Sequence, residues 1–354
     1  LGVAVLAGLL PALCSSFAAS AQSQVPPGEG RAAVTIGKDQ PDARETWRRA
    51  LLRIPRPKQG CFTASYPKLE WREVACTAAP NLPYQPKSDA VGGKTDYSAN
   101  VSNLLTMAEG GFGTSRVTSE TGYAHGQPPE LPNTYSIQIN TSPFVTAACS
   151  GAADPSSCKG WQQFLYTSAG TAAFMQYWLV KYATTCPAGW HTYKQDCYKN
   201  SPAVTVPTVP ITALSSTVLT GSVNASTDTL DFSVGSTVYS TSGDDSVLYL
   251  SKGWNTAEFN IFGDCCGSVA NFNAGAILFV NVHVDNGSAN APNCVMEGFT
   301  GESNNLTLTG ESLVVLLTSL PGIVFAETND PPYSTPTCFA FNAASSQASP
   351  AAEH

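Results

Sequence analysis

Four polar side chains in two stretches stand out for their types and spacing. The first stretch, Trp161 to Val180, reads WQQFLYTSAGTAAFMQYWLV, and centring a turn on Ala169-Gly170 makes it a β-hairpin. Paired strand residues share a face, so Gln163 then stands opposite Gln176. One face carries Trp161, Gln163, Leu165, Phe174, Gln176 and Trp178, and the other carries Gln162, Phe164, Tyr166, Met175, Tyr177 and Leu179. The second set is richer in core residues. The first presents two amides bracketed by tryptophans, as a binding cleft would; a slip of one residue would exchange Gln163 for Gln162. The second stretch, Trp254 to Asp264, alternates so that Ala257, Phe259 and Ile261 face one way and Glu258, Asn260 and Phe262 the other. Glu258 is therefore the carboxylate expected on a cleft-facing strand. Amides offer hydrogen-bond donors and acceptors, and a carboxylate can take and return a proton.

Familiar catalytic signatures are missing. The sequence has no G-x-S-x-G, no H-E-x-x-H, no phosphate-binding glycine loop and no EF-hand loop. His125, in a Gly-flanked loop, His191 and His283 lie in no recognisable triad context. The segment Cys186-PAGWHTYKQDC-Tyr198 resembles the opening of a C-type lectin domain. The chain continues Pro202-AVTVPTVPI-Thr212, however, which cannot form the helix that domain needs, so only a disulfide hairpin is expected.

The order of a Gln-bearing strand, an aromatic strand and the Ala257-Glu258-Phe259 strand resembles the glutamic peptidases of the eqolisin type. The resemblance runs through short motifs from Trp161 to Asn271. It implies a secreted acid protease on a β-sandwich of two bent antiparallel sheets, made with a basic inhibitory propeptide. It further implies that Glu258 acts as general base on a water and then as acid to the leaving amine, while the Gln163 amide donates to the oxyanion. Gln176 stands in Met-Gln-Tyr-Trp where the family has Y-E-W, and the Gly that follows the family's Gln is absent. The start Gly60-CFTASY-Pro67 is also similar to secreted bacterial proteins without an assigned function. A rival reading is a non-catalytic sandwich that binds carbohydrate or another extracellular polymer, with Trp161, Trp178, Trp254 and Tyr177 as stacking platforms. A third is a purely structural surface protein. The expected substrate is a peptide or polysaccharide, with no cofactor and no metal.

Composition points to the scaffold that would position these residues. Charged residues make up 12% of the 354, about half the usual share, while Gly and Pro number 29 and 25. Such a chain is no coiled coil, and a net charge of −8 argues against a nucleic-acid partner. Short apolar or aromatic runs alternate with turn residues: 135–139, 161–166, 174–182, 229–232, 247–250, 258–262, 276–284, 306–309 and 323–327. The spacing predicts an all-β antiparallel sandwich of the jelly-roll or concanavalin-like kind. One helix is expected over Asp96 to Ala108.

The organisation follows from the ends and the charge. Residues 1–21 read as a signal peptide, which makes the protein extracellular or periplasmic and, once the segment is removed, free of the membrane. Residues 22–60 form a basic leader or propeptide, 61–342 the disulfide-stapled domain and 343–354 a disordered tail. From Arg31 to Arg72 there are ten Lys or Arg against four Asp or Glu; from Glu73 onward there are eight against 21. Within the leader, Asp42 to Pro55 suggests a short amphipathic helix with Trp47, Leu51 and Ile54 on one side. The leader is either a propeptide docked on an acidic cleft or a solvated linker. The ten cysteines after Cys14 imply disulfides. Cys61–Cys76, Cys149–Cys158 and Cys186–Cys197 are close pairs, and the adjacent Cys265 and Cys266 are expected to reach Cys294 and Cys338. Five N-x-S/T sequons, at Asn100, Asn140, Asn224, Asn286 and Asn305, would carry glycans only in a glycosylating host.

Overall fold

Strands with apolar residues at every second position must bury one face. A computed structural model describes residues 2, 34–37, 43–86, 96–310, 313–316, 319–330 and 335–344. It buries those faces between two antiparallel sheets, the all-β sandwich that the strand pattern predicts. The front sheet runs, in spatial order, His191–Tyr193, Asp196–Asn200, Ala172–Val180, Lys159–Thr167, Tyr135–Thr141, Thr256–Gly263, Ser98–Asn100 and Asn293–Val295. The back sheet runs Thr307–Thr309, Gly322–Thr328, Ile277–Asp285, Met107–Ser115, Thr217–Val223, Thr227–Val234, Thr237–Asp244, Cys61–Ser65 and Arg72–Val74.

The hairpin forms in the expected register, with Gln163 paired to Gln176 and Trp161 to Trp178. Phe164, Tyr166, Met175 and Tyr177 enter the core beside Phe259 and Ile261, against Leu219, Leu230 and Phe232 of the back sheet. The Tyr166 and Phe232 rings stack at 4.5 Å. The sheets approach closely because two back-sheet positions lack a side chain. A Cβ at Gly110 would stand 2.1 Å from the Phe259 ring, and one at Gly221 would stand 2.7 Å from Phe164. Gln162 points into this core, where its Nε2 donates to the buried Asp228 at 2.9 Å.

Three expectations give way. Residues 96–108 are not a helix: Ser98–Asn100 is a strand and Met107 opens another. Tyr97, Ala99 and Val101 are buried at alternate positions, and the Val101 and Leu105 amides bond to the distant carbonyls of Asn255 and Trp254. Period two thus overrides the weak helical spacing. Residues 247–250 are not a strand: Val247 ends one 3-10 turn and Leu250 opens the next. The buried Asp245 carboxylate takes the Ser251 amide and hydroxyl, and Tyr249 adopts φ 56°. Finally, Cys265 bonds to Cys266, and Cys294 bonds to Cys338. Cys294 lies on the last front-sheet strand and Cys338 on the Cys338–Phe341 strand, which pairs with the back-sheet strand Gly322–Thr328. Their bridge therefore ties one sheet to the other and leaves the adjacent pair to each other. The three local pairs form as expected.

The expected leader helix is present as Ala43–Leu52. It covers the outer face of the back sheet, where Trp47 and Leu51 pack with Ala64 and Val238. Arg48, almost wholly buried, pairs with Glu45 and with Glu109 of the back sheet at 2.7 and 2.8 Å. Arg56 pairs with Asp231 on the same face. These residues therefore belong to the packed fold, opposite the front sheet's outer face. Residues 1 and 3–33, which hold almost all of the expected signal peptide, and residues 345–354 lie outside the described residues. No described helix is long and apolar enough to cross a membrane.

Candidate functional site

Strand alternation aims every second front-sheet residue away from the core. In one register across six neighbouring strands these outward residues are Asn200, Gln176, Gln163, Asn140, Glu258 and Ser98. Such a polar row is unusual in a sheet, and here it is also buried: Gln163 and Asn140 have no exposed surface and Glu258 has 1%. Gln163 and Glu258 are separated by one strand, so their main chains lie roughly 10 Å apart.

Hydrogen bonds fix the row. Asn140 Nδ2 donates to Glu258 Oε2 at 2.9 Å, and the Phe299 amide donates to the same oxygen at 2.9 Å. Gln163 Nε2 donates to Gln138 Oε1 at 2.9 Å, and Gln138 donates onward to Ser136, which donates to the Gly263 carbonyl. Three buried atoms beside the row have no hydrogen-bond partner among the described residues: Gln163 Oε1, Asn140 Oδ1 and Trp161 Nε1. Buried polar atoms normally find partners, so each of these three can take a further hydrogen bond.

A cavity of about 170 Å³ opens at the Glu258 end, lined among others by Asp96, Asn260, Gly298, Glu302 and Asn304. A Cβ at position 298 would come within 2.7 Å of Glu258 Oε1, so glycine there permits the loop's close approach. Asn260 Nδ2 bridges both oxygens of Glu327 at 3.1 and 3.0 Å. Burial, reinforced by the charges of Glu327 and Glu258, holds Asp96 well above the usual carboxylate range. Burial lifts Glu327 to about 8 despite the Asn260 amide. Burial lifts Glu302 to about 7 despite bonds from Thr300 Oγ1 and the amides of Gly267 and Gln85. Burial thus shifts these three carboxyls toward their protonated forms. Among the described residues no group of three His, Cys, Asp or Glu is arranged to hold a metal ion.

Of the residues singled out from sequence, Gln163, Gln176, Trp161, Trp178, Glu258 and Asn260 share this outer face. Trp254 does not: it lies in the core between the sheets, its ring 5.6 Å from Phe164. The tryptophans offer no stacking platform. Trp161 and Trp178 are sealed under Tyr198 and Phe299, and Tyr177 is buried in the inter-sheet core. Asn140 is also a sequon residue, and its burial denies a glycan to the folded chain. Asn140 and Gln138 were missed although Ser136, Gln138 and Asn140 alternate with Tyr135, Ile137 and Ile139, a legible two-sided strand. Asp96, Glu302 and Glu327 carried no such signal, because long-range folding alone brings them together. Compared with protein-family models and with curated proteins, the chain matches none.

Proposed function

We propose that the protein is an acid-active peptide hydrolase in which Glu258 and Gln163 form the reacting pair. The observation that carries this reading is the shared register of Gln163, Asn140 and Glu258 on one face, beside a cavity lined by carboxylates. Glu258 takes the proton of a water that attacks the peptide carbonyl, then returns it to the leaving amine. The bonds from Asn140 and the Phe299 amide orient the Glu258 carboxylate through Oε2. The Gln163 amide donates to the oxyanion of the tetrahedral intermediate, exchanging its bond to Gln138 for that role. Five disulfides suit an oxidising compartment, and secretion fits both them and the apolar first residues.

The test is casein digestion between pH 3 and 5. Glu258→Gln should abolish hydrolysis, and Gln163→Ala should lower kcat by roughly 10²–10³, as for loss of one oxyanion donor. Activity equal to wild type in Glu258→Gln would exclude Glu258 as the base.

A further inference from the structure

One end of the polar row is already occupied. The segment from Pro80 to Pro86, Pro-Asn-Leu-Pro-Tyr-Gln-Pro, crosses the outer face of the front sheet. The sheet holds it chiefly by its main chain. Asn200 Nδ2 donates to the Pro80 carbonyl at 3.0 Å. Gln176 makes two bonds: its Nε2 donates to the Leu82 carbonyl at 2.9 Å, and its Oε1 accepts the Tyr84 amide at 2.8 Å. Asn200 and Gln176 thereby do what a neighbouring strand's backbone would do for an extended chain. Trp178 Nε1 and Asn200 Oδ1 brace the Gln176 amide from either side, at 3.0 and 2.7 Å.

One side chain is read as well. Tyr84 is fully buried in a pocket of Leu165, Ala172, Phe174, Ala203 and Cys265, its ring 6.0 Å from Phe174. After Tyr84 the segment leaves the row, and the Gln85 carbonyl accepts the Gly301 amide at 2.7 Å. The row continues past it to Gln163 and Asn140, whose oxygens are the buried atoms without partners among the described residues.

We propose that residues 80–86 are a tethered occupant of a polypeptide-binding groove, and that the groove's ligand is an extended peptide with an aromatic residue, which must displace the tether. Main-chain recognition is what selects a polypeptide over a polysaccharide: an amide that bonds one carbonyl and the N–H two residues on fits an extended backbone. The aromatic requirement comes from the Tyr84 pocket. A longer ligand would continue along the row and bring N–H groups to Gln163 Oε1 and Asn140 Oδ1. The tether holds a high effective concentration, so free peptide competes poorly until the tether is weakened. The proposal rests on the hydrolase reading only for what happens to the ligand next.

The test measures binding alone, with the full chain carrying Glu258→Gln so that no peptide is consumed. The probe is the fluorescein-labelled peptide PNLPYQP, followed by anisotropy. Adding Tyr84→Ala empties the aromatic pocket and should tighten peptide binding at least tenfold over the chain with Tyr84. Adding Gln176→Ala to that variant should weaken binding at least tenfold, and the peptide PNLPAQP should bind at least tenfold more weakly than PNLPYQP. A folded Tyr84→Ala variant that binds the peptide no better than its parent overturns the proposal, as does binding indifferent to Gln176. Should Tyr84→Ala fail to fold, Tyr84→Leu keeps most of the apolar volume and is judged in the same way, with at least threefold tightening expected. The two readings fail separately. Peptide binding without casein hydrolysis by the wild-type chain leaves the groove and removes the hydrolase. Glu258-dependent hydrolysis without peptide binding to the loosened variants removes the tether alone.

Discussion

Replacing Glu302 by Gln should make the protein less sensitive to rising pH. Glu302 is buried at 3% exposure and accepts hydrogen bonds from Thr300 Oγ1 and from the amides of Gln85 and Gly267. Burial nonetheless raises its carboxyl from 4.5 to about 7. The folded chain therefore binds this proton more tightly than the unfolded chain does. Its stabilising contribution is complete below about pH 4.5, falls as pH rises toward 7, and is gone above that. At about 1.4 kcal/mol per pH unit, the interval amounts to about 3 kcal/mol. Gln mimics the protonated acid. Its Oε1 keeps the two backbone donors, and the Thr300 hydroxyl can turn to accept from its Nε2. Urea unfolding with the disulfides intact, followed by fluorescence of the buried Trp161, Trp178 and Trp254, measures the effect at pH 4.5 and pH 7.5. Between these two pH values the wild type should lose about 3 kcal/mol more than Glu302→Gln. If the two proteins lose stability in parallel, to within about 1 kcal/mol, the carboxyl is not held protonated by burial and the reasoning fails.

Other expectations concern the staples. Glu109 behaves in the opposite sense: burial would raise it, but Arg48 and Arg49 hold it below the usual range. Its contribution is present above that range and lost as pH falls through its folded value, so the helix Ala43–Leu52 should be the element that acid loosens first, read by hydrogen exchange of its amides. Glu109→Gln leaves Arg48 buried without its partner on the sheet and should cost about 3–5 kcal/mol in urea unfolding, with Arg48→Met in the same chain recovering much of it. Removing the Cys294–Cys338 bridge, which spans 44 residues, should cost about 4 kcal/mol by loop-closure entropy, against about 3 for Cys149–Cys158, which spans nine. Equal losses would argue against that entropic account.

The sandwich and half of the site were legible for one reason: strand alternation is local. Gln163, Gln176 and Glu258 each sit among neighbours that declare which face is buried, and the short turn at Ala169-Gly170 sets the register between the first two. The same alternation marks Asn140, in step with Ser136 and Gln138. Charge counting separated a basic N-terminal part but could not seat it. The helix Ala43–Leu52 settles on the back sheet where Glu109, buried on the outer face, meets Arg48, and the place of Glu109 is fixed by the pairing of Met107–Ser115 with strands more than 100 residues away.

The sequence by itself determined the layer architecture, the hairpin register and the local disulfides, since each depends on contacts a few residues apart. The tertiary structure alone decided that Glu258 is neighbour to Asn140, that Asp96, Glu302 and Glu327 gather round it, and that Tyr84 lies over Phe174. It also decided that Cys265 closes on Cys266 rather than on Cys294. Those outcomes depend on strand order, and strand order is chosen by how two whole sheets can bury their faces against each other, which no local spacing encodes.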